Sequence, residues 1–182
     1  MGTFNVGKRY VYQSEEYTLL TPESYWYPRP GVCYSSENPD WQQSYFTNFQ
    51  MNVKPNEGLA VISQGERTIN NDSLSVSFEP EYPLQSLSLI IGPYKNVSIE
   101  VDDIQYSAWY IDGHDFFSEH LTLLGDTIPS IIRDVKFYYE ERVEMEFPFN
   151  RFSIVETPAH FASYTRAWTA AQEKMQPEMV LV

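Results

Sequence analysis

The segment His114-Asp115-Phe116-Phe117-Ser118-Glu119-His120 holds two histidines and two carboxylates within seven positions, the side chains that bind zinc. Their spacing argues against a site. A helical zinc pair has its histidines four apart so that both leave one face, whereas a six-residue step turns the second by about 240° around the axis. The inverted form, His-x-x-Glu-His, is missed by two residues. The stretch reads instead as a polar helix start in which Asp115 favours the N-terminal dipole. His160 stands alone. Cys33 lies in a Pro-rich loop with no local base and reads as an inert thiol. No Gly-x-Ser-x-Gly elbow and no glycine-rich phosphate cradle occurs. The acidic run from Tyr138 to Glu146, with Glu140, Glu141, Glu144 and Glu146, is expected to be a solvated face at a helix end. No catalytic and no metal-ligating residue is therefore assigned. The binding candidates are aromatic: Tyr25, Trp26 and Tyr27, with Tyr34, Trp41, Tyr45 and Phe46 nearby. Such rings pack into cores and interfaces, and when exposed on a β scaffold they stack on sugars or apolar ligands.

The elements that must position these residues change character along the chain. From Phe46 to Ile111 apolar side chains alternate with polar ones, the period of a pleated strand with one wet face. Phe49, Met51 and Val53 form one such set, and Leu74, Val76 and Phe78 a second. Leu87, Leu89 and Ile91, then Val97, Ile99 and Val101, then Ile104, Tyr106, Ala108 and Tyr110 complete five strands. Turn-forming clusters separate them, among them Lys54 to Gly58, Asn70 to Asp72, Glu79 to Pro83, Gly92-Pro93 and Asp102-Asp103. Tyr10 to Leu20 reads as one or two earlier strands, and Thr21 to Gly31 as an irregular Pro-rich loop. Short punctuated strands of this kind indicate an antiparallel sandwich or barrel.

After Ile111 the period becomes helical. Ile128, Ile131, Ile132, Val135, Tyr138, Tyr139 and Val143 recur at three- and four-residue steps, with Asp126 or Thr127 expected to cap the helix and Pro129 in its first turn. A shorter helix is expected from Asp115 to Leu124, ended by Gly125, and a strand over Phe152, Ile154 and Val155, closed by Pro158. Ser163 to Lys174 stays open between helix and extended chain. The expected organisation is an antiparallel β domain over 1–112 and an α/β segment over 113–182.

Formal net charge is -13, from 25 acidic and 12 basic side chains, and a field of that sign repels nucleic-acid phosphates and anionic lipid headgroups. The single cysteine admits no internal disulfide. The composition, 42% hydrophobic and 16% aromatic, is that of a globular protein. No run approaches the roughly 18 to 20 apolar residues of a membrane-spanning helix. Met179-Val180-Leu181-Val182 is apolar to the last residue, so truncation of a longer chain is expected at this end and likewise at the start.

Ser24-Tyr25-Trp26-Tyr27-Pro28 comes first among a set of ordered motifs. Phe46 to Val53 with Pro55 follows, then Leu59 to Gly65 ending in Ser63-Gln64-Gly65, then Ser88 to Tyr94 with Gly92-Pro93-Tyr94. Phe137-Tyr138-Tyr139-Glu140 precedes Phe147-Pro148-Phe149 and the run from Asn150 to Pro158. In this order they resemble the N-terminal β domain and the opening of the catalytic domain of the aminopeptidase N family, the gluzincin zinc aminopeptidases. The match spans about Thr21 to Pro158. The resemblance implies a thermolysin-like domain after the β domain, and a scaffolding role in which the β domain caps a peptide-binding cleft. The rest of the polypeptide would be its partner, and zinc would sit downstream. Gln176-Pro177 and the residues after it are similar to membrane-tethered bacterial relatives, some fused to permease-like spans. The family's His-Glu-x-x-His is absent, so no cofactor is expected in this chain. Ala162 to Trp168 stands where the family has Gly-x-Met-Glu-Asn, which grips a substrate's amino group. Two alternatives remain: an independent β-sandwich module binding carbohydrate or peptide, and part of a catalytically dead homologue.

Overall fold

The computed structural model describes residues 11–22, 26–28, 46–72, 74–115, 123–157, 175–176 and 178–181. Within them the chain is mainly β, and its residues fall into two compact units, 1–93 with 159–177 and 94–158 with 178–182.

The first unit contains two antiparallel sheets. Strands β1 (Val11–Gln13), β2 (Thr18–Leu20), β7 (Leu89–Gly92) and β4 (Ala60–Ile62) form one, in the order β1-β2-β7-β4. The second is β3-β6-β5, built from β3 (Met51–Val53), β6 (Ser75–Glu79) and β5 (Glu66–Asn70). One buried cluster draws on both sheets: Leu20, Val61 and Leu89 from the first meet Val76 and Phe78 from the second, with Met51, Val53 and Ile91 packed around them. Two sheets that share one apolar core make a sandwich-like arrangement.

Alternation reads β6 correctly, since Val76 and Phe78 are buried between less buried neighbours. It misplaces Leu74. That residue was expected to point inward with them, but it sits in the preceding turn at φ 51 and is exposed. β7 also departs from the pattern, because Leu89 and Ile90 are both buried. A central strand, here between β2 and β4, is covered on both faces and needs no polar side.

The second unit is a mixed sheet. β8 (Tyr94–Val101) and β9 (Ile104–Ile111) form a hairpin in register Val101↔Ile104 to Tyr94↔Ile111. Its two-residue turn, Asp102-Asp103, has φ 51 and 62, the positive pair that matches the twist of the strands. Helix α1 (Thr127–Val143) then leads to β10 (Arg151–Val155), which lies parallel to β9 with Phe152 opposite Tyr106. A parallel return of this kind requires a crossover, and α1 lies within it. β12 (Met179–Leu181) adds in parallel to β10, burying Met179 and Leu181. A two-residue strand, β11 (Met175–Gln176), precedes it in sequence. The expected border near Gly113 falls inside this unit, because β8 and β9 pair with each other and β9 pairs with β10.

The bounds of α1 follow from the three- and four-residue periodicity, but its cap does not. Asp126 occupies the N-cap position with helical backbone, φ -69 and ψ -10, so its side chain accepts no capping hydrogen bond. The helix ends on Glu144 in the left-handed conformation at φ 55. Of the shorter helix expected from Asp115 to Leu124, residues 116–122 lie outside the described residues. Asp115 lies in a turn, while Leu123 and Leu124 are helical and run into Gly125 at φ 44.

Candidate functional site

Trp26 and Tyr27 lie within the Pro-rich stretch and meet the chain just ahead of β7. Trp26 Nε1 donates to the Leu87 carbonyl at 3.3 Å, and the Tyr27 hydroxyl accepts the Leu87 N–H at 3.1 Å. The two side chains thus take the place of a neighbouring strand for Leu87, satisfying both of its backbone groups. Their rings meet edge to face at 4.9 Å, and Tyr27 meets Phe49 likewise at 5.5 Å. Trp26 also packs against the core shared by the two sheets. Phe46, by contrast, is exposed. Tyr25, Cys33, Tyr34, Trp41, Tyr45, His120, His160 and the stretch Ala162 to Trp168 lie outside the described residues.

A polar latch lies close by. Ser63 Oγ donates to the Ser88 carbonyl at 2.7 Å, and Gln64 Oε1 accepts the Ser88 N–H at 2.9 Å. Gly65, next in sequence, has φ +95, and a Cβ there would stand 2.4 Å from the Pro80 nitrogen. Only glycine fits both constraints.

In the second unit polar chemistry gathers at the carboxyl ends of parallel β9 and β10, the edge at which open α/β sheets bind ligands. Glu156, one residue beyond β10, donates its N–H to the Trp109 carbonyl at 2.9 Å and accepts the Tyr94 hydroxyl on its own carbonyl at 2.9 Å. Its side chain accepts the Ile111 N–H on Oε2 at 2.8 Å and holds His114 Nδ1 at 2.5 Å from Oε1. A carboxylate in this position fixes the orientation of an imidazole. Base catalysis by such a pair would need a substrate or nucleophile at the other ring nitrogen. Among the described residues no three histidine, cysteine, aspartate or glutamate side chains are grouped as metal ligands would be. The spacing argument against His114 as a zinc ligand could not reveal Glu156 as its neighbour, because the two are 42 residues apart.

The acidic run at the end of α1 divides. Glu141, Glu144 and Glu146 are exposed as expected, but Glu140 turns inward. It accepts the Phe147 N–H at 2.7 Å and the Lys136 ammonium at 3.0 Å, and these two donors, in that order, hold its carboxyl below the ordinary range. Lys136 is held above its usual value, chiefly by the same hydrogen bond. Burial raises the nearby Tyr106 phenol. Phe147 completes the corner, meeting Phe149 at 5.5 Å and Phe152 at 6.2 Å.

No protein-family model and no curated protein matches this chain. Among the described residues, no helix is long and apolar enough to cross a membrane.

Proposed function

We propose that this chain is a non-catalytic scaffold from a zinc aminopeptidase-like protein of the aminopeptidase N family, in which a β-sandwich-like domain and the opening of a thermolysin-like domain shape the approach to a peptide-binding cleft. The observation that carries the reading is the order of elements in the second unit. The helix, the Phe147-Pro148-Phe149 corner and the strand β10 follow one another as the resemblance requires, and β10 joins the sheet in parallel. The engagement of Trp26 and Tyr27 with Leu87 supports scaffolding over display of rings to a carbohydrate.

In this reading zinc belongs to the downstream part of the protein, with the family's missing substrate-gripping motif leaving the parent's specificity to that part as well. Zinc titration of the chain by calorimetry is expected to give no tight stoichiometric binding, and one tightly bound equivalent would overturn the non-catalytic role. The reading frame tests the family assignment separately. A frame continuing into His-Glu-x-x-His supports it, and one that stops or continues without that motif sinks it.

A further inference from the structure

The outer side of α1 carries a second apolar stripe. Ile128, Ile131, Val135, Tyr138 and Arg142 follow one another at steps of three and four residues. The mean repeat of 3.5 is the one that keeps a stripe facing a partner in a left-handed pair of helices. The row that α1 half-buries is different: Ile128, Ile132, Lys136 and Glu140, sharing only its first member with the stripe. Ile131, Val135 and Tyr138 are between 49% and 54% exposed. Contiguous apolar exposure of this extent marks an interaction surface.

We propose that a second copy of this chain docks here, its α1 antiparallel to the first, making an isologous dimer. The one charged position in the stripe selects this occupant. In an antiparallel pair, setting Val135 against the partner's Tyr138 brings Arg142 against the partner's Ile131 and beside the partner's Asp134. Asp134 has no ion-pair partner among the described residues, and Arg142 is held only by a 3.3 Å hydrogen bond to the Tyr138 hydroxyl within its own helix. The charge pair forms twice by symmetry. A parallel pair would instead stack arginine on arginine along the seam, which like charges disfavour.

Two copies of net charge -13 repel at long range, so the interface forms against a field that salt weakens. Association therefore tightens between about 0.01 M and about 0.15 M salt, as the Debye length falls from about 30 Å to about 8 Å. The surface goes beyond the scaffolding role and does not depend on it.

Sedimentation velocity of the full chain over a concentration series is the test. A monomer–dimer equilibrium is expected, tighter at the higher salt. Val135→Asp places a charge in the seam and weakens association on the order of tenfold or more. Asp134→Arg and Arg142→Asp each weaken it, and the double variant regains it because the pair is restored with its signs exchanged. These positions are exposed, and circular dichroism checks that each variant keeps its fold. A chain that stays monomeric throughout the series overturns the proposal. So does a dimer that Val135→Asp leaves intact, or one that the double variant fails to restore.

Discussion

Leu87 is buried, yet it precedes β7 and so lacks a ladder partner of its own. Its N–H and carbonyl are completed by Tyr27 and Trp26 from 60 and 61 residues away, which gives these rings a task that phenylalanine could not do. Tyr27→Phe keeps the ring contacts and removes the acceptor, leaving a partly buried donor unmatched. A loss of about 1–3 kcal/mol is expected, read from the urea unfolding midpoint. An unchanged midpoint would mean that water reaches the Leu87 amide. Packing was one of two readings that the aromatic cluster offered, and Trp26 and Tyr27 follow it, but their target was not legible, because hydrogen bonds over such separations leave no local pattern. His114 and Glu156 were hidden for the same reason, although the histidine itself drew notice.

Among the elements, α1 was the most legible, since its apolar spacing from Ile128 to Val143 marks a helix without help from distant contacts. β5 was the least. All five of its residues, Glu66–Asn70, are exposed, so no buried face imposes the alternation by which strands are recognised. The corner after α1 makes a prediction in pH. Phe147 N–H and Lys136 hold the Glu140 carboxyl below its ordinary 4.5, so the folded state binds fewer protons there than the unfolded chain. Its stabilisation is complete above pH 4.5 and is lost as the pH falls through the lowered value. Lys136 is raised above 10.5, chiefly by Glu140, so its contribution is complete below that value and is lost as the pH rises through the raised one. Burial raises Tyr106 above 10.0, which also reduces stability on the alkaline side. Urea midpoints across this range are expected to fall at both ends. Glu140→Gln should flatten the acid limb, and an identical acid limb in the variant would remove Glu140 from the account.

At the scale of the whole molecule, the change from alternating to helical spacing after Ile111 separates strands from helix, whereas the compact units divide after Pro93. Periodicity reports what a residue faces locally. It does not report which strand pairs with which, and the parallel pairing of β9 with β10 decides the division. The second unit also needs its last residues: β12 pairs with β10, and Ser153 donates to the Glu178 carbonyl at 2.8 Å. Removing 178–182 is expected to cost about 1.5–3 kcal/mol for each of the buried Met179 and Leu181, with faster amide exchange over 151–155. Unaltered exchange there would show that β10 holds its place without β12. The two roles of β9 bear also on synthesis. The β8–β9 hairpin can close within about 1–10 μs of emerging from the ribosome. β10 begins 40 residues after β9 ends, Arg151 against Ile111, and at about 5–20 residues per second it arrives some seconds later. During that interval a nascent chain carries an open strand edge that includes Ala108 and Trp109, so β9 is the place where a translational pause would expose this protein to mispairing and where a chaperone would have something to protect.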